Sequence, residues 1–351
     1  MNDFVYDPGF VHPRFRMDGN SLDAENLLKV AYDYIKEGEP FEKAIGDFLL
    51  NWFDHKDYVV MKTSGTTGTP KAIDISKRAM VNSALATADF FELGTNTHAL
   101  HCLPAQYVAG KMMLVRALII GWDIDIAAPS STPLAGSEKT YGFAAMVPLQ
   151  AEQSLDQLTR VKKIILGGGM VSATLSEKLQ QLPIEIWETY AMTETVTHIA
   201  AKRLGEKAFT TLPYVTLTTD ERGCLVIDAP KVADTQIVTN DLAELTDAHH
   251  FTWLGRHDNV INSGGIKLFP EQIEEKLAPY INQRFFVYGL PDDNLGEKLV
   301  LVIEGAPFAI PDKAYAGLDK FEKPKAVLFA DKFIETGSGK IQRKETVATV
   351  K

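Results

Sequence analysis

The chain has 351 residues, of which 45% are hydrophobic and 23% charged, a balance that supplies a sizeable core and excludes intrinsic disorder. That length suits two domains, or one large domain with an appendage. Thirty-six Lys/Arg against 46 Asp/Glu give a net charge of −10, which argues against nucleic acid as a partner.

The opening MNDFVYDPGF has neither the basic nor the apolar region of a secretory signal. No window approaches the ~20 apolar residues of a membrane helix, so the expectation is a cytoplasmic protein without a membrane partner. Residues 21–56 carry a helical pattern that ends in the polar turn His55-Lys56-Asp57, and 57–63 (DYVVMKT) form a buried strand. A loop of Gly, Ser and Thr follows, then a helix for which Ser76 suits the N-cap. Cys102 and Cys224 show no paired spacing and read as buried thiols in a reducing compartment. Residues 162–169 (KKIILGGG) form a strand running into glycines, with Ser172 placed to cap the next helix. Residues 184–190 (IEIWETY) repeat the strand, followed by a polar turn and a predicted helix over THIAAKRL.

The alternation of short apolar runs with amphipathic segments predicts an α/β fold. Ligands in such sheets bind beyond the carboxyl ends of strands, so the three strand-to-loop transitions point to one site. The composition changes near residue 256. Beyond it come a short strand (VINSGG), a helix (PEQIEEKLAPY), strands at RFFVYGL, KLVLVIEG and AVLFA, and the loop ETGSGK. The predicted architecture is a large N-terminal α/β domain of layered sheets and helices, residues 1–256, and a small mobile α+β domain, residues 257–351. The Gly-Arg-His-Asp stretch is the candidate hinge. Residues 312–351 hold nine Lys/Arg against six Asp/Glu, as a module that visits an anionic ligand would, and as an ordinary basic tail would too.

The strongest local motif is Thr63-Ser64-Gly65-Thr66-Thr67-Gly68-Thr69-Pro70-Lys71. Its glycines admit close backbone approach, and its amides and hydroxyls can cradle phosphate oxygens; a solvated surface loop is the plainer alternative. The P-loop pattern fits neither this segment nor Gly337-Ser338-Gly339-Lys340, where Ile341 follows the lysine. Tyr190-Ala191-Met192-Thr193-Glu194-Thr195 places a carboxylate and a hydroxyl just after a strand. Beside a phosphate site they can hold Mg²⁺, which takes few protein ligands; an acidic first turn of a helix is the alternative. Gly167-Gly168-Gly169 lets a flat ligand lie on bare backbone or makes a tight turn. Asp241 can accept two ribose hydroxyls. Ser263-Gly264-Gly265-Ile266-Lys267 alone is only a turn, and Lys340 alone is a loop lysine.

Taken in order, these motifs resemble the adenylate-forming superfamily of acyl-CoA synthetases, peptide-synthetase adenylation domains and luciferases. The likeness runs from about residue 57 to 345 and includes Gly-Arg-x-Asp at 255–258 and Gly-Lys-x-x-Arg at 339–343. The resemblance implies an ATP-dependent ligase that needs Mg²⁺ and uses coenzyme A as second substrate. It assigns Thr63 and residues 64–71 (Ser64, Gly65, Thr66, Thr67, Gly68, Lys71) to the ATP phosphates. Gly167, Gly168, Gly169 and Tyr190 would line the adenine. Thr193 would meet the α-phosphate, Glu194 the Mg²⁺, and Asp241 and Arg256 the ribose region. Lys340 would reach the reacting carboxylate, Asp258 would be the hinge residue, and Ser263, Gly264, Gly265 and Lys267 would form the loop on the coenzyme A side. An ionised carboxylate attacking an α-phosphate needs positioning and charge stabilisation rather than a general base.

Typical members carry many more residues before the phosphate loop, whereas Ser64 here follows only 63. A short N-terminal region is known among o-succinylbenzoate–CoA ligases of menaquinone biosynthesis. Leu103-Pro104-Ala105-Gln106-Tyr107-Val108-Ala109-Gly110, with Arg116 beyond it, is similar to a stretch of that group, although Tyr107 stands where His is usual. The favoured acid is therefore o-succinylbenzoate. The alternatives are another aromatic or aliphatic acid, loading of a carrier protein, and a non-catalytic nucleotide-binding relative. Lys111, inside an apolar helix, with His198, is expected to receive a second substrate carboxylate; a lysine snorkelling to the surface is the alternative. A homodimer is one way to compensate the short N-terminal region.

Overall fold

The computed structural model describes residues 9–62, 72–335 and 341–350. The chain begins with an edge hairpin, β1 (Arg16–Met17) and β2 (Asn20–Ser21), and two packed helices, α1 (Ala24–Glu37) and α2 (Pro40–Trp52). The single helical segment expected over 21–56 is thus broken. Gly38 ends α1, and Pro40, which lacks the N–H that a helix interior needs, opens α2. Gly46 lets the backbones of the pair approach, because a Cβ there would meet the Ala31 carbonyl at 2.6 Å.

Strands β3 (Tyr58–Lys62) and β4 (Ala72–Ser76) form an antiparallel ribbon that runs into α3 (Lys77–Phe90), capped by Ser76 as expected. Next come β5 (His98–His101), α4 (Val108–Ile120), β6 (Asp123–Ile126), β7 (Tyr141–Met146), α5 (Pro148–Gln153), β8 (Val161–Leu166), α6 (Ala173–Gln180) and β9 (Glu185–Ala191). The five strands β6-β5-β7-β8-β9 are parallel neighbours. Alternate side chains face opposite layers, as the two-residue strand period requires. Phe143, Ala145 and Ile165 join the core under α1–α4, while Ala144, Met146, Ile164 and Leu166 join the one under α5 and α6.

The predicted helix over THIAAKRL is a strand, β10 (His198–Arg203), which pairs antiparallel with β9. A local pattern cannot show that β9 still has an open edge; pairing with that edge overrides helix propensity. Strands β11 (Phe209–Thr211), β12 (Thr216–Thr219), β13 (Cys224–Asp228), β14 (Ile237–Asp247) and β15 (His250–Arg256) continue antiparallel, in the order β10-β11-β15-β14-β13-β12, completing a 13-stranded mixed sheet. Cys102 and Cys224 are free and buried, as expected. Among the described residues no helix is long and apolar enough to cross a membrane.

Beyond Arg256 a second sheet assembles from β16 (Ile261–Ser263), β17 (Ile266–Leu268), β18 (Phe285–Asp292), β19 (Gly296–Glu304) and β20 (Ala326–Ala330). Helix α7 (Pro270–Leu277) covers one face, and α8 (Arg343–Thr349) contributes to the core on the other.

Two histidines are sealed in the large unit, His101 at 1% and His198 at 3% exposure. Burial lowers His101 to about 4 and holds His198 well below its ordinary value of 6.5, with Arg116 adding to the second effect. Both are neutral in the fold, whereas the unfolded chain protonates them below pH 6.5. Stability is therefore complete above pH 6.5 and falls as pH drops toward 4, by roughly 3 kcal/mol for His101. Urea unfolding between pH 7 and 5 should show that slope, and His101→Leu should reduce it, leaving the part that His198 contributes.

Candidate active site

The carboxyl ends of β8 and β9 lie side by side because the two strands are parallel and in register from Lys163↔Glu185 to Leu166↔Glu188. The glycine turn follows β8. Thr189 of β9 donates its hydroxyl to the Leu166 carbonyl at 2.9 Å and lies where a side chain at position 167 would sit, 2.8 Å from a Cβ there. Gly168 follows at φ +77, a conformation that favours glycine.

After β9 the chain makes a 3-10 turn, Thr193–Thr195, and reverses through Val196 at φ +67, ψ −59. This is a γ-turn, with the Thr197 amide donating to the Thr195 carbonyl at 2.7 Å. For a β-branched residue such a backbone is strained and persists only where its surroundings over-determine it. The fully buried Thr195 does so: its hydroxyl lies 3.1 Å from the Met192 carbonyl and 2.8 Å from that of Thr197, stitching the turn on both sides. Glu194 and His198 thereby face the same groove, a cavity of about 970 Å³. The groove runs between α3 and the 229–235 segment, which Asn82 holds by donating to the Lys231 carbonyl at 2.8 Å.

Asp241, 8% exposed, lies where β14 meets β15. Its carboxylate accepts from the Tyr190 hydroxyl at 2.6 Å and from the Trp253 indole at 3.3 Å, and Arg256 approaches to 3.6 Å. Burial, with the Asp241 charge second, pushes the Tyr190 phenol far above its ordinary range, so it stays a donor. The structure therefore brings Tyr190, Asp241 and Arg256 together, with Gly167–Gly169, Thr193 and Glu194 at the ends of the same two strands.

Asp258 sits in a short turn, His257–Asn259, and accepts from Asn240 at 3.2 Å. Ser263 to Lys267 form the β16–β17 hairpin, whose two central residues, Gly264 and Gly265, have φ +60 and +80. That pair of positive values is the tight turn that favours Gly-Gly. Thr63, Ser64, Gly65, Thr66, Thr67, Gly68, Lys71 and Lys340 lie outside the described residues.

Lys111, expected to receive a second substrate carboxylate, instead meets backbone carbonyls, and the buried cation of α4 is Arg116. Lys111 lies in the first turn of α4 and reaches back to the Ala105 and Gln106 carbonyls at 2.8 and 3.2 Å, while Tyr107, at the N-cap, is 55% exposed. Arg116, 1% exposed, is the cation in the interior of α4. Its Nε and Nη2 have no hydrogen-bond partner among the described residues, and Nη1 lies 3.7 Å from the Met113 sulfur. Burial lowers it to about 9, so it remains charged at neutral pH. His198 stands near it, its Nε2 3.3 Å from the Thr87 hydroxyl, which gives its own proton to the Ser83 carbonyl. The signal for Arg116 was its mid-helix position between apolar neighbours, whereas a lysine near a helix start can fold back on loop carbonyls.

A family model for AMP-binding enzymes matches residues 44–233, more than half of the chain. The chain belongs to the AMP-binding enzyme family. Over 359 aligned residues it is 27% identical to the 2-succinylbenzoate–CoA ligase of Staphylococcus aureus (strain MSSA476), covering 91% of this chain and 73% of that one. A solved acyl-CoA synthetase (AMP-forming)/AMP-acid ligase II-like protein from Dyadobacter fermentans is 35% identical, with TM-score 0.62 and coverage of 91% and 97%. The O-succinylbenzoate coenzyme A synthetase of Bacillus subtilis, solved with ATP and magnesium ion, shares the fold at 20% identity, with TM-score 0.73 and coverage of 82% and 69%.

Thr195→Val removes the hydroxyl donor that stitches the strained turn. It should lower unfolding free energy by about 1–3 kcal/mol in urea titration, the cost of one buried carbonyl left unpaired.

Proposed function

We propose that this enzyme joins o-succinylbenzoate to coenzyme A by way of an acyl-adenylate. The observation that carries the choice of acid is Arg116, a buried guanidinium whose Nε and Nη2 have no hydrogen-bond partner among the described residues, with a neutral histidine beside it. A buried charge without a partner is costly unless a ligand supplies the opposite charge, and a substrate with a second carboxylate does so. The curated relatives with that activity, and the geometry around Tyr190 and Asp241, support the same reading.

In the first step a carboxylate oxygen of the acid attacks the α-phosphorus of ATP, and the bond to pyrophosphate breaks. In the second, the coenzyme A thiol loses its proton, its sulfur attacks the acyl carbon, and AMP leaves. Glu194 would hold Mg²⁺, which fits one carboxylate plus nucleotide oxygens and when bound offsets phosphate charge. Tyr190 and Asp241 bind and orient the nucleoside, with Arg256 at its edge. Lys340 supplies positive charge to the reacting carboxylate, and Ser263–Lys267 face the thiol substrate. Rotation of residues 257–351 about Asp258 exchanges the two steps, and the reaction runs in the cytoplasm.

Pyrophosphate release with ATP, Mg²⁺ and coenzyme A should be strong with o-succinylbenzoate and weak with benzoate; release with another acid alone would discard the choice of substrate. Arg116→Leu should raise KM for o-succinylbenzoate roughly 30-fold or more, the loss of one charge-assisted pair, with a smaller effect on a monocarboxylate. It should also keep or raise Tm, because an unpaired buried charge is gone; a lowered Tm with KM unchanged would make Arg116 structural. Lys340→Ala should abolish most adenylation and leave thiolysis of a supplied adenylate largely intact.

A further inference from the structure

Of the three glycines that follow β8, two have a reason within the fold. Gly168 has φ +77, where an L side chain is strained. Gly167 has no positive φ, yet a Cβ there would lie 2.8 Å from the Thr189 hydroxyl oxygen, closer than real side chains come. Gly169 has neither constraint: a Cβ there would meet only Pro148, at 4.0 Å, and the residue is exposed. Thr189 therefore occupies the space that the bare backbone at 167 leaves, and the reaction described above gives it no part.

The turn is seated between two neighbouring strands. On one side the Gly167 amide donates to the carbonyl of Met146, the last residue of β7, at 3.2 Å. On the other the register of β8 with β9 ends at Leu166↔Glu188, and Thr189 donates its hydroxyl to the Leu166 carbonyl at 2.9 Å. A side-chain bond thus joins the two strands at the point where the paired register stops. The strand period turns Thr189 and Tyr190 to opposite faces. Tyr190 accordingly packs with Phe251 and donates to Asp241, while Thr189 braces the turn.

Glycine loses more conformational freedom on ordering than any other residue, and here three occur in succession. A flat ring laid on them binds more tightly when part of that freedom is already gone, which is how preorganisation raises affinity. The Thr189 bond removes it at the entry to the turn. We propose that Thr189 is a positioning residue for the nucleobase: its hydroxyl, acting through Leu166 and Gly167, holds the bare backbone of the glycine turn ready for the flat ring. This goes beyond the assignment of the glycines and Tyr190, and it rests on the reading that the nucleoside lies beside them.

The test is calorimetric binding of AMP and of pyrophosphate to the full chain, with steady-state KM values for ATP and for the acid. Thr189→Val keeps the shape of the side chain and removes its donor. It should weaken AMP binding and raise KM for ATP by roughly tenfold, the upper range for one neutral hydrogen bond, with pyrophosphate binding and KM for the acid little changed. Thr189→Ala should match it, and Thr189→Ser, which keeps the donor, should restore both nucleotide values. AMP binding unchanged in the valine and alanine variants would overturn the proposal. So would equal weakening of AMP and pyrophosphate, or a loss that serine does not recover. The expected pattern of AMP binding in a chain that releases no pyrophosphate with any acid would keep Thr189 and reject the ligase reading. Ligase activity with o-succinylbenzoate and unchanged AMP binding in Thr189→Val would do the reverse.

Discussion

Strand β9 has two kinds of edge, and the site depends on that. Its pairing with β8 is parallel, which brings the glycine turn beside its carboxyl end; its pairing with β10 is antiparallel, which forces the chain to reverse at once. The reversal has only the residues Met192 to Thr197 in which to occur, and it takes a strained γ-turn at Val196 to complete it. Backbone hydrogen bonding of one strand therefore places Glu194, the glycines and Tyr190 within a single region. The cost of the turn is met by Thr195 and by the ladder on either side.

The electrostatics of the site follow from burial rather than from surface charge. The chain is acidic overall, yet the site contains a buried arginine, a buried histidine that lines the groove, and a carboxylate that accepts from two aromatic donors. Low-dielectric surroundings keep His198 neutral and Tyr190 protonated, so both have fixed hydrogen-bonding roles at neutral pH. Arg116 beside His198 retains its charge. In the reading proposed above, that cation would favour an acid that brings a second carboxylate to it.

Burial sets the electrostatics of the junction with the small unit too. Glu271 is buried against backbone and the connecting turn, and Glu275 opposes Glu188 across the contact.

Much was determined by sequence alone. The order of motifs from Thr63 to Arg343 identifies the chemistry, since each is a local arrangement of glycines, hydroxyls or charges whose function needs only a few neighbouring residues. The caps at Ser76 and Ser172 and the strand before Tyr190 were legible for the same reason: a cap or a short apolar run is decided within one turn. What required the tertiary structure was everything decided by a partner distant in the chain. THIAAKRL is a strand because β9 offers it an edge, and Arg116 is buried with His198 of β10, far along the chain, beside it. Glu271 reads in sequence as one acid among several on a short helix; only the approach of Gly255, Asn259 and Arg343 sets it apart. Local pattern fixes what a residue is able to do, while the desolvation and pairing that decide whether it does so arise from contacts that no local window contains.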